Sequence, residues 1–197
     1  MSTLLLATGN PHKLEELRRL LDGSGVSVVG LSTVDDWVEP VEDGATFEDN
    51  ALIKARAAAS ASGLPALADD SGFSVDALNG MPGVLSARWS GRGRDDRSNL
   101  ELVLWQVSDV PDDRLGAQFD CAAALVLPNG TERVARVSWR GRVSREPRGT
   151  NGFGYDPIFV PHGETRTSAE LDDAEKDAIS HRGQALRAIL PHLLALR

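Results

Sequence analysis

Apolar positions along this 197-residue chain switch repeatedly between strand-like runs and helical spacing, and each switch predicts an element. Leu4-Leu5-Leu6 reads as a short buried strand, Thr8-Gly9-Asn10 as a tight turn, and Pro11 suits the first helical position after it. Leu14, Leu17, Leu20 and Leu21 then recur at helical spacing, with Glu15, Glu16, Arg18 and Arg19 on the other face. Gly23-Ser24-Gly25 closes that unit, and Val26–Leu31 predicts a second strand. Residues 32–45 are acidic and irregular. Thr46 predicts a helix start, its hydroxyl capping while Asp49 supplies a carboxylate three residues on, a variant of the capping box. The alanine-rich body Asn50–Ser60 follows, and Gly63 and Pro65 stop it. Ala66-Leu67-Ala68 predicts a short buried strand whose exposed end carries Asp69-Asp70-Ser71-Gly72.

The second half is richer in strands. Arg88, Arg92, Arg94 and Arg97 stand among glycines in residues 88–99, which reads as a solvated loop, with a phosphate clamp as the alternative. Leu100–Val107 is helical in pattern. Ala117–Leu127 and Glu132–Val143 predict a hairpin across Pro128-Asn129-Gly130. A glycine-rich loop leads to Gly152-Phe153-Gly154-Tyr155-Asp156-Pro157, then to the strand-like Ile158-Phe159-Val160. The end is helical from about Ser180, with Pro191 kinking or ending it. Strands and helices are mixed, with no repeat, low-complexity tract or linker, so an α/β fold with a mixed sheet is expected.

Composition narrows the function. With 41% hydrophobic residues the chain can bury a sizeable core as one domain, residues 1–197, with room for two lobes. A net charge of −8 repels polyphosphate backbones, which argues against broad nucleic-acid binding yet allows a small phosphorylated ligand where Lys and Arg converge and a metal carries the remaining charge. No apolar run approaches the roughly 18 residues needed to span a bilayer. Leu4–Ala7 is only strand-sized, without the basic flank of a leader. The single Cys121 excludes an internal disulfide framework and a cysteine-built zinc site, and its apolar setting reads as buried strand. Together these features predict a cytoplasmic protein without membrane or nucleic-acid partners.

Four groups could carry chemistry. Thr8-Gly9-Asn10-Pro11-His12-Lys13 places a glycine after a strand and a helix start beside a lysine, an arrangement that lets backbone amides and a positive dipole end face an anion. The Walker spacing is missing, and alone this would be an ordinary turn with a surface lysine. Asp69-Asp70 would need positive partners to stay ionised cheaply at the end of a buried strand, and Mg²⁺ is the obvious one. A carboxylate beside a bound water can also orient or deprotonate it for attack at phosphorus. Glu42, with Asp43 and Glu48 nearby, could bring a further acidic ligand, and Lys54 could reach a phosphate; a solvated acidic loop is the alternative. Phe153 between glycines could stack on a base, while His181 and Arg182 after Ser180 could donate to a keto oxygen, favouring 6-keto purines over adenine.

These residues, in this order, resemble the inosine triphosphate pyrophosphatase family. The likeness rests on Thr8-Gly9-Asn10 with Lys13, Thr46-Phe47-Glu48-Asp49-Asn50-Ala51 with Lys54, Ala68-Asp69-Asp70-Ser71-Gly72, Gly152–Pro157 and Ser180-His181-Arg182-Gly183. Met81-Pro82-Gly83-Val84 with Ser86-Ala87-Arg88 adds a bacterial signature, and the likeness runs from Leu4 to about Leu190. Each motif is weak singly; five in order are specific. The resemblance implies an elongated mixed central sheet flanked by helices, two lobes with a cleft between them, a homodimer and a need for Mg²⁺. It implies that Thr8, Gly9, Asn10, Pro11, His12 and Lys13 hold the triphosphate with Lys54. Asp70 would be proton acceptor and magnesium ligand, with Glu42 a second acidic ligand, Asp69 supporting and Ser71 touching substrate. Phe153, Gly154, Tyr155, Asp156, Lys176, His181 and Arg182 would form the base pocket. The expected reaction cuts ITP, dITP, XTP or dXTP to monophosphate and pyrophosphate, keeping them out of DNA and RNA. The rivals are a pyrophosphatase for pyrimidine or methylated nucleotides and a non-catalytic nucleotide sensor. Asp69-Asp70 speaks against the sensor, because a pure binder of polyanions gains nothing from carboxylates there.

Overall fold

The computed structural model describes residues 2–91, 93 and 95–196, with only the backbone described for Pro11, His12 and Glu16. Arg92 and Arg94, half of the arginine-rich stretch, therefore lie outside the described residues. Among those described, six strands form one sheet in the order β2-β1-β3-β4-β5-β6. They are β1 (Ser2–Leu6), β2 (Val26–Gly30), β3 (Ala66–Val75), β4 (Gly116–Val126), β5 (Glu132–Val143) and β6 (Phe159–Pro161). Five helices accompany them: α1 (Pro11–Leu20), α2 (Phe47–Ser62), α3 (Asp96–Gln106), α4 (Asp173–Ile179) and α5 (His181–Leu194). β1 pairs parallel with both β2 and β3, whereas β5 and β6 pair antiparallel, so the sheet is mixed as expected.

The chain divides into two compact units, the first comprising Met1–Asp70, Cys121–Arg136 and Gln184–Arg197, the second Ser71–Asp120 and Val137–Gly183. In the first, Leu4, Leu5 and Leu6 of β1, Ala66, Leu67 and Ala68 of β3 and Cys121–Val126 of β4 are all buried. α2 presents Ala51, Ala55, Ala58 and Ala59 as a buried stripe at helical spacing. Thr46 caps α2 as the sequence predicts: its hydroxyl accepts from the Asp49 N–H at 3.1 Å, and Asp49 accepts from the Thr46 N–H at 3.1 Å. Gly63 ends the helix in the left-handed region at φ 68°.

The core of the second unit is aromatic. Phe73 is fully buried, its ring 4.9 Å from Tyr155, 5.0 Å from Phe119 and 5.9 Å from Phe159, with Trp139 5.1 Å from Phe159. The Met81–Arg88 signature fastens this core. Ser86, in the helical turn Gly83–Arg88, accepts from the Phe73 N–H at 2.8 Å, and its carbonyl accepts from the Tyr155 hydroxyl at 2.8 Å.

Several boundaries differ from expectation. β3 does not stop at Ala68; it runs ten residues through both aspartates, because Phe73, Ser74 and Val75 are buried beyond them. β2 ends at Gly30, with Leu31 in a short helical turn, and Ile158 likewise lies in a turn before β6. α3 begins at Asp96, capped by Asp95, and takes Asp96–Asn99 out of the expected loop. α4 was not anticipated, although Asp172 and Glu175 form a capping box at its start. α5 continues through Pro191 to Leu194. Cys121 is fully buried, in line with its apolar setting. No helix among the described residues is long and apolar enough to cross a membrane.

Removing the Phe73 ring empties the centre of the aromatic cluster. Phe73→Ala is expected to cost about 3–5 kcal/mol, read as a lowered urea midpoint by circular dichroism; a loss below about 1 kcal/mol would show the cluster is not the keystone.

Candidate active site

Asp69 and Asp70 sit in mid-strand, where successive side chains point to opposite faces. They accordingly find different lysines. Lys13, in the first turn of α1, donates to Asp69 Oδ2 at 2.7 Å. Lys54, on α2, lies 3.4 Å from Asp70 Oδ1 and 3.2 Å from Glu42 Oε2. Asn50 stands one turn earlier on the same face of α2 and donates through Nδ2 to Asp70 Oδ2 at 3.1 Å. The first unit thus interleaves three carboxylates with two ammonium groups, three minus two leaving one net negative charge.

Electrostatics follow from burial. Desolvation pushes the Asp70 carboxyl above its ordinary value, against the pull of Lys54 and the Asn50 hydrogen bond, and Glu42 adds to the rise. Burial works against the Lys54 ammonium too, but Asp70, Asp69 and Glu42 outweigh it and hold its pKa above the ordinary value. A raised carboxyl beside a firmly charged lysine is an arrangement suited to moving a proton.

Of the neighbouring acids only Glu42 joins this cluster. Asp43 is exposed, and Glu48 turns to Arg136 at 3.2 Å. Among the described residues no group of three His, Cys, Asp or Glu side chains is gathered to hold a metal alone. The donor set that is present fits Mg²⁺ nonetheless. It offers hard carboxylate oxygens in small number and a net negative charge, and Mg²⁺ completes its shell with water and substrate phosphates rather than a protein cage.

The Thr8–Lys13 turn adjoins this cluster through Lys13. Thr8 Oγ1 accepts from the Asn10 N–H at 3.2 Å, which fixes the turn. Gly9 is exposed, and an added Cβ would touch nothing within 4 Å, so no packing demand explains the glycine. The side chains of Pro11 and His12 lie outside the described residues.

The second unit gathers the other predicted residues. Ser71 opens it, half-buried in β3. Phe153 is 58% exposed, with Lys176 of α4 over its ring at 5.8 Å. Asp156 is 3% exposed and both its carboxylate oxygens are engaged: Oδ2 accepts from the Phe153 N–H at 2.9 Å and from Lys176 at 2.5 Å, Oδ1 from Ser168 at 2.8 Å. These contacts shape the loop and aim Lys176. Gly152 is obligatory here, because at φ +75° a Cβ would lie 2.1 Å from Asp156 Oδ2 and 2.6 Å from Lys176 Nζ. The Gly154 N–H is held by Asp96 Oδ2 at 3.0 Å. Tyr155 points inward, stacked on Phe73, and burial, with Asp96, pushes its phenol well above the ordinary value. His181 starts α5, buried and stacked on Phe119 at 4.9 Å; Arg182 follows it, half-buried.

Sequence reasoning assigned no role to three residues that organise these groups: Asn50 and Ser86, though both stand in the quoted motifs, and Asp96. A polar residue four positions before Lys54 on the same helix face was the available signal for Asn50; the partners of Ser86 and Asp96 are too distant in sequence to leave one.

Comparison with known proteins agrees with this geometry. Residues 4–192 match the model of the Ham1 family. A dITP/XTP pyrophosphatase of Nocardia farcinica is 58% identical over 199 residues, covering 100% of this chain and 97% of its own. The crystal structure of a nucleoside-triphosphatase, or dITP/XTP pyrophosphatase, from Mycobacterium abscessus is 58% identical, covers 96% of this chain and 99% of its own, and superposes with a TM-score of 0.83. The Ham1 protein of Staphylococcus aureus, at 33% identity and full coverage of both chains, superposes with a TM-score of 0.91. With a full-length match in sequence and the same mixed sheet, the chain belongs to the Ham1 family.

Proposed function

We propose that this chain is a pyrophosphatase that hydrolyses non-standard purine nucleoside triphosphates, ITP, dITP, XTP and dXTP, to the monophosphate and pyrophosphate with Mg²⁺ as its metal. It thereby removes them from the pool before they enter DNA or RNA. The observation that carries the reading is the Asp70 carboxylate held between Lys54 and Asn50, with the Lys13–Asp69 pair on the same strand. The names of the relatives support the substrate class.

Asp70 takes a proton from a water whose oxygen attacks the α-phosphorus; the bond from that phosphorus to the bridging oxygen breaks, and pyrophosphate leaves with the electron pair. Burial raises the proton affinity of Asp70, which makes it a stronger base than a solvated carboxylate. Lys13, Lys54 and the Thr8–Lys13 turn hold the triphosphate in line. Asp70 and Glu42, with Asp69 supporting, would hold Mg²⁺, which would supply neutralisation of the charge that develops on the departing pyrophosphate.

Lys13 and Lys54 are already paired in the free protein, so a polyphosphate competes for them with Asp69, Asp70 and Glu42. A metal held by those carboxylates would free the lysines for phosphate, so each ligand would favour the other. Phe153 stacks on the base, and Lys176, His181 and Arg182 donate to its oxygens, with Ser71 touching the substrate. Donors at that edge favour a 6-keto purine and repel the adenine amine. We take the working form to be a cytoplasmic homodimer acting as one two-lobed domain of residues 1–197.

The reading is tested by measuring pyrophosphate released from ITP, XTP, dUTP, GTP and ATP with and without Mg²⁺. Release from ITP and XTP that depends on Mg²⁺ is expected; no release from any of them would sink it. Asp70→Asn is expected to lower kcat by on the order of 10²–10⁴-fold with the KM for ITP largely kept; near-normal turnover would remove Asp70 from the role of base. Arg182→Ala is expected to narrow the ITP-over-ATP ratio of kcat/KM by about tenfold or more, and an unchanged ratio would place base reading elsewhere. In a thermal melt Mg²⁺ is expected to raise the Tm of the wild-type protein and to raise that of Asp70→Asn much less.

A further inference from the structure

Asn50 is 2% exposed, and its amide is used at both ends. Nδ2 donates to Asp70 Oδ2 at 3.1 Å, while Oδ1 accepts from the backbone N–H of Gly44 at 2.8 Å. The orientation of the amide is fixed by its partners, because a carboxylate can only accept and a backbone N–H can only donate. Gly44 lies two residues after Glu42, in the acidic loop that precedes α2. That loop is pressed against the helix: a Cβ on Gly44 would sit 2.6 Å from Asp49 Cβ, 2.7 Å from Asn50 Oδ1 and 3.0 Å from the Asn50 nitrogen. Thr46 and Asp49, capping one another, fix the helix end between the two points.

We propose that Asn50 is a positioning residue that sets the separation of Asp70 and Glu42, one arm aiming the Asp70 carboxylate and the other latching the loop that carries Glu42. The inference rests on the reading of Asp70 as base and of Asp70 and Glu42 as the acidic pair at the metal.

Three alignments come together in this one side chain. Asn50 and Lys54 are a turn apart on α2, so both face Asp70, one on each of its oxygens: Lys54 at Oδ1, Asn50 at Oδ2. Both Asp70 oxygens are therefore held, and the carboxylate plane has little freedom to turn. Lys54 also holds Glu42 Oε2, while Asn50 holds the Glu42 loop two residues on. A lysine is a point charge that tolerates several carboxylate orientations. A planar amide with one donor and one acceptor in use imposes direction, so the aiming falls to Asn50 and the charge balance to Lys54.

The two arms can be separated. Asn50→Asp keeps an acceptor for the Gly44 N–H and removes the donor to Asp70; Asn50→Ala removes both. Assayed with ITP well above the carboxylate range, both are expected to lose kcat by about 10²-fold, the scale of a misplaced reacting group, with the KM for ITP within about threefold of wild type. Amide exchange at Gly44, followed by nuclear magnetic resonance in the absence of metal and substrate, is expected to stay protected in Asn50→Asp and to speed up by about tenfold in Asn50→Ala. The Mg²⁺ concentration for half-maximal activity should rise in Asn50→Ala more than in Asn50→Asp. Wild-type kcat in both variants, beside an inactive Asp70→Asn, would overturn the role of Asn50 and leave Asp70 as base. An active Asp70→Asn would instead sink the underlying reading. Should both Asn50 variants fail to fold, Gly44→Ala, whose Cβ pushes the loop off Asp49 and Asn50 while the Asn50 amide is kept, is expected to raise the half-maximal Mg²⁺ concentration and the Gly44 exchange rate; wild-type values for both would overturn the latch.

Discussion

Everything the first unit does depends on keeping carboxylates ionised in a setting that disfavours their charge. Asp69 and Asp70 lie in mid-strand between buried neighbours, where an unpaired carboxylate would be costly. β-strand geometry sends the two side chains to opposite faces, and each bonds its own lysine, supplied from a different helix. That constraint decides where α1 and α2 must begin. The Lys13 contact requires α1 to start soon after the Thr8–Asn10 turn, and the Lys54 contact requires α2 to start near Thr46, which is where its capping box sets it.

The second unit solves a different problem: presenting a flat aromatic face and a few donors without letting the loop collapse. Asp156 and Asp96 each hold a backbone N–H of the 152–156 loop, Gly152 admits Asp156 and Lys176 close to its backbone, and Ser86 ties Tyr155 to the core. Phe153 is left outside as the exposed element. The aromatic cluster around Phe73 is the foundation under this loop, which connects core packing to the loop we propose binds the base.

What the sequence made legible was local. The Thr46–Asp49 cap, the β4–β5 turn at Pro128-Asn129-Gly130, the Gly63 stop and the mixed α/β class all follow from short-range pattern, and each is present. What stayed hidden depended on partners far along the chain. Asp69-Asp70-Ser71-Gly72 has turn-like composition, and only burial of Phe73–Val75 carries the strand through it. The Gly152–Pro157 motif was visible, but the ties of Asp156 to Ser168 and Lys176 were not. Asn50 sits in the first turn of a helix, where asparagine is unremarkable; its importance comes from Gly44 and Asp70, neither of which propensity can place beside it. α4 carried a readable signal in Asp172 and Glu175, so Lys176 could have been placed on a helix rather than reached by resemblance alone.

The central claim is that a water activated by Asp70 attacks the α-phosphorus. Hydrolysis of ITP in water enriched in ¹⁸O, with both products examined by mass spectrometry, tests it most directly. The account predicts one labelled oxygen in the monophosphate and none in the pyrophosphate. Label in the pyrophosphate, or release of inorganic phosphate in place of pyrophosphate, would contradict it.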